Sequence, residues 1–426
     1  MKRVAITGIG LLTPLGIGTE STWRGLIEGR SGVGPIRQFD ASSLRTQLGA
    51  EVADLDPAQF IANRRTLRMM TRNDHLAFVG AMLAVQDAQF DLASQDGERV
   101  GLFVGSNKEI SNPDHVLEAS LVARNPDGAV DIRRLGEQAQ SAFYPLFYVE
   151  GLQAASLFYI SQAYNLKGAN SYFAGMAEVG AVAVGRAFRA IRRGEVDMAL
   201  AGGFDDAISW WNMTKFDTLG LLTGRNDRGA AAVRPYDRDR DGTALGEGAA
   251  FLMLEELESA RRRDARIYAE IAGYGNRYDT FRLITPDPEG RALSGAIRAA
   301  LGDAGSPAEA IGYVAADGSA TRLGDASEAR ALRAAFDGTT DSLAASSVKA
   351  ATGHMVAAAG ALNAAVATLA VHHQILPPTL NLENPDPVCD LDWVPNEARE
   401  ARVEQALALA RGFEGQNVAL VLRSVR

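Results

Sequence analysis

Short β-branched and aliphatic runs alternate with longer alanine-rich stretches, a rhythm that predicts an α/β protein. Strands are expected at 3–8, 100–105, 196–202, 249–254, 267–272, 312–316, 343–347 and 418–422. Helices are expected at 72–89, 179–193, 293–304, 326–335 and 357–372, where apolar residues recur at three- and four-residue spacing. The longest near-apolar stretch, Met355 to Val371, is alanine-rich and interrupted by Asn363. It is short for a membrane span and reads as a buried core helix. A turn, an alanine-rich helix and a strand over 175–203 are echoed by a turn opening a second such helix at 353–369. Residues 1–260 and 261–426 therefore read as two related αβ halves packed together. The polar segment 107–142 reads as an excursion from the first half carrying one helix, and 226–243 as a charged, glycine-bearing loop.

Composition narrows the class. With 426 residues and 47% hydrophobic content the chain can bury a large core, which excludes disorder. Lys+Arg 43 against Asp+Glu 52 gives a net charge of −9, a poor match for nucleic acid as a partner. One cysteine, Cys389, excludes an intrachain disulfide framework and a cysteine-based zinc site. With no hydrophobic leader after the opening MKR, the expected location is cytoplasmic. Gly8-Ile9-Gly10 follows a strand but lacks the third glycine of a dinucleotide fingerprint, so no cofactor is expected. His372 and His373 diverge by about 100° on a helix and cannot share a metal, so none is expected. Arg64, Arg65 and Arg68 form a basic cluster that can attract an acidic partner.

Four blocks carry more: VAITGIGLLTPLG (4–16), VRPYDRDRDGTALGEGAAFLMLE (233–255), VKAATGHMVAAAGALNA (348–364) and LPPTLNLENPDPVCDLDWVPNEAR (376–399). Together they resemble the β-ketoacyl synthase family across essentially the whole chain. The resemblance implies the five-layered αβαβα thiolase fold built of two related halves, dimerisation, and acyl chains delivered on acyl carrier protein. A working ketosynthase needs a cysteine at a helix N-terminus to attack the thioester, and two histidines to stabilise the enolate left by decarboxylation. Anchored on Gly168, Gly180 and Gly185, the nucleophile position falls on Ala177. The first histidine's H-G-T-S-T pattern reads Asp317-Gly318-Ser319-Ala320-Thr321, while the second is present as His354, with Lys349 upstream. The glycine-rich gate reads Gly412-Phe413-Glu414-Gly415-Gln416-Asn417. An ionised Asp317 only accepts hydrogen bonds and opposes a malonyl carboxylate. Losing one oxyanion donor costs about 3–4 kcal/mol. His354 is expected to serve structurally, holding a backbone carbonyl or pairing with Asp317.

Within the family the pattern resembles the chain length factor, or ketosynthase β subunit, of type II polyketide synthases, which also reads Ala-Asp-Gly where Ala316-Asp317-Gly318 stands here. That resemblance implies a non-catalytic subunit shaping the acyl tunnel of a heterodimer with a catalytic ketosynthase α subunit. β-Ketoacyl synthase activity is then expected only of the pair. Such subunits usually carry glutamine at the nucleophile position, and Ala177 departs from this. Phe147, Tyr148, His115, Leu117, Ala119 and Ser120 are the expected tunnel and interface residues, with Phe413 and Glu414 at the gate and Arg64, Arg65 and Arg68 as carrier-protein docking residues. Two other readings fit the same residues: a malonyl-acyl carrier protein decarboxylase using His354, and a stand-alone scaffold.

Overall fold

Hydrogen bonding places ten principal strands in one path. They are β1 (Val4–Thr13), β2 (Val100–Ser106), β3 (Asn170–Ala174), β4 (Met198–Asp205) and β5 (Gly248–Glu256), then β6 (Ala269–Tyr278), β7 (Ile311–Ala315), β8 (Ala344–Ser346), β9 (Gln405–Arg411) and β10 (Gln416–Arg423). This is a computed structural model, and it describes residues 1–91, 95–107, 113–338, 340 and 343–425. The spatial order is β8-β7-β9-β10-β6 followed by β1-β5-β4-β2-β3. Each set of five repeats one plan. The second strand of the half pairs in parallel with the third and fourth, and the fourth and first flank the fifth antiparallel. The halves join through three antiparallel pairs, Val4↔Ile271, Ala5↔Glu270 and Ile6↔Ala269.

Helices repeat the plan as well. α1 (Arg72–Asp87) links β1 to β2, and α5 (Val179–Arg193) links β3 to β4. In the second half α6 (Arg291–Ala304) links β6 to β7, α7 (Arg322–Ala335) links β7 to β8, and α8 (Ala359–His373) links β8 to β9. α5 packs on α8 between the two sheets, while α1 covers the outer face of the first sheet and α6 with α7 that of the second. Five layers result, α-β-α-β-α, which is the thiolase-like architecture. Every residue of β1 is buried, as is every residue of α8 from Ala359 to Val371. A helix apolar all round belongs inside, so the stretch long and apolar enough to cross a membrane (Val356–His373) is instead a central core helix.

Differences from the sequence expectation have local causes. Strand β1 continues to Thr13 because Ile9 to Leu12 pair with β5. The excursion at 107–142 carries two helices in place of one, α2 (Pro113–Val122) and α3 (Ile132–Ala142). Residues 108–112 of that excursion lie outside the described residues. The helix α4 (Ala155–Tyr164) then leads to β3.

Candidate functional site

The N-termini of α5 and α8 meet in the middle layer, where the Gly360 amide donates to the Ala177 carbonyl at 3.0 Å. Glycines allow this: a Cβ at Gly180 would come 2.8 Å from the Ala357 carbonyl, and one at Gly360 2.7 Å from that of Ala177. Around this junction the sequence-identified positions gather. Ala177 is fully buried and offers only a methyl group. His354 is held by its backbone, its amide donating to Ala244 at 2.8 Å and its carbonyl accepting from Gly246 at 2.9 Å. Its Nδ1 accepts from the Val356 amide at 3.1 Å. Val356 adopts φ +36°, a left-handed conformation that a β-branched residue enters only under constraint. Burial, then the nearby Lys349 ammonium, push the His354 pKa down to about 3. The ring is therefore neutral with its proton on Nε2, which has no partner among the described residues and can donate to an incoming oxygen.

Asp317 follows β7 in a turn fixed by Glu328 of α7, whose carboxylate accepts from the Asp317 and Gly318 amides at 2.8 Å each. Ser347 donates to the Gly318 carbonyl at 2.9 Å, and Asn363 of α8 donates to the Ala316 and Leu409 carbonyls at 3.0 and 2.8 Å. The Asp317 carboxylate lies 2.7 Å from Lys349 Nζ, and both side chains are buried. Burial alone would raise its pKa, but the Lys349 ammonium overrides this and holds Asp317 ionised, below the usual carboxylate range. The expected partnership of His354 with Asp317 or a backbone carbonyl is thus corrected. Lys349 takes the aspartate, and the imidazole accepts from an amide. The paired Asp317 also opposes a second carboxylate less than a lone one would.

From this turn a cleft of about 360 Å³ opens to the surface, lined by Asp317, Ser319, Thr321, Arg411, Phe413 and Asn417 among others. Phe413 separates it from the imidazole, with ring centroids 5.4 Å from His354 and 5.7 Å from Phe216. Glu414 is exposed at the tip of the turn, so of the two expected gate residues Phe413 does the closing. Sequence reasoning overlooked Glu178, next to Ala177. It is buried beneath the Gly412 turn, where a Cβ at Gly412 would come 2.3 Å from its Oε2, and that oxygen lacks a partner among the described residues. Burial, with Glu414 and Asp317 adding repulsion, pushes its pKa up to about 7. A carboxylate directly ahead of the apolar helix 179–193 is the signal that could have flagged it.

The remaining expected residues lie elsewhere. None of His115, Leu117, Ala119, Ser120, Phe147 and Tyr148 lines the cleft. Ala119 is buried, Ser120 exposed, Leu117 53% exposed and Tyr148 77% exposed, while His115 stacks on Tyr144 at 5.0 Å. Arg64, Arg65 and Arg68 are exposed on a short helix capped by Asn63. Cys389 is buried beside Arg240, and burial pushes its thiol up to about 12, far from a reactive thiolate. Among the described residues no group of three His, Cys, Asp or Glu side chains is placed to hold a metal ion.

A doubled five-layer fold with two facing helix N-termini at its centre defines the thiolase-like class. The chain belongs to the β-ketoacyl synthase family: residues 1–260 match the model of its N-terminal domain, and residues 268–383 that of its C-terminal domain. It is 37% identical over 424 residues to the 3-oxoacyl-[acyl-carrier-protein] synthase 2 of Coxiella burnetii, covering 100% of this chain and 99% of that one. Among solved structures it resembles the ishigamide ketosynthase/chain length factor, at TM-score 0.88 and 32% identity with full coverage of both chains. It also resembles a type II PKS acyl-carrier protein in complex with its ketosynthase bound to the hexaketide, at TM-score 0.86 and 27% identity, again with full coverage. These findings correct the expected function. Relatives from Synechocystis sp. and Staphylococcus aureus carry the same synthase 2 name as that from Coxiella, so similarity to these curated relatives leads to 3-oxoacyl synthases and not to non-catalytic chain length factors. The loss of the thiol at Ala177 is a property of this chain and does not by itself define the chain-length class.

Proposed function

We propose that the protein works in acyl carrier protein-dependent carbon-chain synthesis of the fatty-acid or polyketide kind, taking a carrier-borne acyl thioester into the cleft ending at Phe413. One observation carries the reading: a full-length synthase scaffold keeps the cleft and a neutral His354 with a free Nε2 donor, yet presents Ala177 where the thiol belongs. With Phe413 swung aside, the thioester is held by hydrogen bonds, with Nε2–H as a donor for its carbonyl, and no acyl-enzyme forms on this chain. Full condensation then needs a thiol from elsewhere. We read its source as a cysteine-bearing ketosynthase of the same fold, paired through the open edge of β3. The exposed Arg64, Arg65 and Arg68 suit the acidic surface of a carrier protein.

The test is titration with acyl carrier protein bearing a non-hydrolysable acyl chain, alongside intact mass after incubation with the ordinary thioester. Saturable binding without a mass increase is expected, and His354→Ala should weaken binding several-fold. A stoichiometric acyl adduct, or a carrier protein that fails to bind, would overturn the reading.

A further inference from the structure

Beside α5, on a part of the surface that shares no lining residue with the cleft, a groove of about 580 Å³ is built from three elements. Its floor is Tyr274-Gly275-Asn276 of β6, one wall is Arg186 and Arg189 of α5, and the other is Ala299 and Asp303 of α6, with Arg277 completing the rim. The two α5 arginines stand one helical turn apart and so share a face. The Arg189 guanidinium lies over the Tyr274 ring at 4.6 Å, and both helix arginines bias the Tyr274 hydroxyl electrostatically, so they converge on it. Arg277 reaches the same groove from the strand, packing along α6 where a Cβ at Gly295 would meet its Cγ at 3.6 Å.

Arg277 Nη1 donates to the Asn276 carbonyl at 2.9 Å. Among the described residues none of the three cations, Arg186, Arg189 and Arg277, is paired with an acid within 4 Å, in a chain carrying 52 acidic residues. The one carboxylate in the groove, Asp303, is already engaged by Arg192 at 2.9 Å and by the Tyr274 amide at 3.1 Å. A solvated arginine face needs no such convergence. Two guanidinium groups gathered at Tyr274, with Arg277 at the rim and the Asn276 side-chain amide donating to the Tyr274 hydroxyl at 3.2 Å, match the oxygens of a phosphoryl group, which arginine recognises bidentately.

We infer that the groove between α5 and α6 is a binding site for the pyrophosphate group of a small molecule, separate from the cleft. Coenzyme A and nucleoside diphosphates share that chemistry, and the experiment distinguishes them. A volume of about 580 Å³ accommodates a ligand of nucleotide size.

Isothermal titration of the intact protein with inorganic pyrophosphate, ADP and coenzyme A tests this. Saturable binding of pyrophosphate is expected, weakening as salt rises, and whichever of ADP and coenzyme A binds more tightly identifies the source. Arg186→Gln and Arg277→Gln should each weaken binding at least tenfold, while Arg189→Lys, which keeps charge but loses the fork, should weaken it less. Circular dichroism melting confirms that each variant is folded. An absence of saturable binding at millimolar pyrophosphate, or affinity unchanged in both glutamine variants, overturns the proposal. So does loss of pyrophosphate binding on adding an acyl carrier protein without its pantetheine arm, because the groove would then be a protein-docking surface.

Discussion

The Lys349–Asp317 pair sets the electrostatics of the site and carries its most direct stability consequence. Both groups are buried, so removing one leaves the other as an uncompensated charge, a loss of about 3–5 kcal/mol. Lys349→Met should therefore destabilise strongly in urea titration, and Lys349→Met with Asp317→Leu should lose clearly less. Equal losses would show that the pair is not coupled. Glu178 gives a pH signature. Its carboxyl ionises near 4.5 in the unfolded chain but stays protonated up to about 7 in the fold, so its contribution to stability is lost as pH rises from 4.5 to 7. His354 works in the opposite sense. Neutral in the fold down to about 3, it withdraws stability as pH falls below 6.5. Thermal melts of Glu178→Gln against the parent separate the two. The variant should gain up to about 3 kcal/mol relative to the parent between pH 4.5 and pH 8, and a pH-independent difference would contradict the burial argument. Ala177, Asp317 and His354 were legible in the sequence because each sits in a contiguous motif. Glu178 was not, because its burial depends on the Gly412 turn folding over it from 234 residues away in the chain.

At the level of elements, α5 and α8 hold the site by approaching at glycine. A Cβ at Gly180 would press on the Ala357 carbonyl and on Ala361, and neither backbone can yield without separating the helices that join Gly360 to Ala177. Gly180→Ala should thus cost about 1–3 kcal/mol in chemical denaturation and weaken carrier-thioester binding at the same time. A fully stable variant with parental binding would show that the junction tolerates separation. The sequence predicted α5 at 179–193 with the bounds observed, since its apolar spacing and the glycine after it are both local signals. Periodicity passed over β9 and β3 for different reasons, although the family resemblance implies a pairing edge strand in the stretch 168–175 that holds β3. QALALAR alternates alanine with leucine, which suits a helix as well as a strand, and NSYFA is a short, half-exposed edge with no buried face to leave a pattern.

Across the whole molecule the open end of the sheet decides assembly. The strand β3 pairs with β2 on one side only, so its outer amides and carbonyls have no ladder among the described residues, and an edge of this kind either is covered or recruits another strand. In the second half the edge strand β8 is buried along its length, whereas β3 stays exposed or half-exposed. Large apolar side chains stand open on the elements before β3: Leu121 of α2 at 56%, Phe158 of α4 at 58%, and Tyr148 at 77%. Apolar surface beside an open edge marks an interface. Strand order alone does not distinguish the two edges, because both halves carry the same order, and it is the family resemblance that points to Phe147 and Tyr148 at an interface. Sedimentation of the purified chain at micromolar concentration should therefore show a dimer, or a heterodimer when a cysteine-bearing ketosynthase is co-expressed. Phe158→Glu and Tyr148→Glu should each shift it toward monomer, with little change in melting temperature because both residues already face solvent within one chain. A monomeric parent, with or without that second synthase, would mean that the exposed edge is shielded in some other way, and pairing through β3 would have to be abandoned.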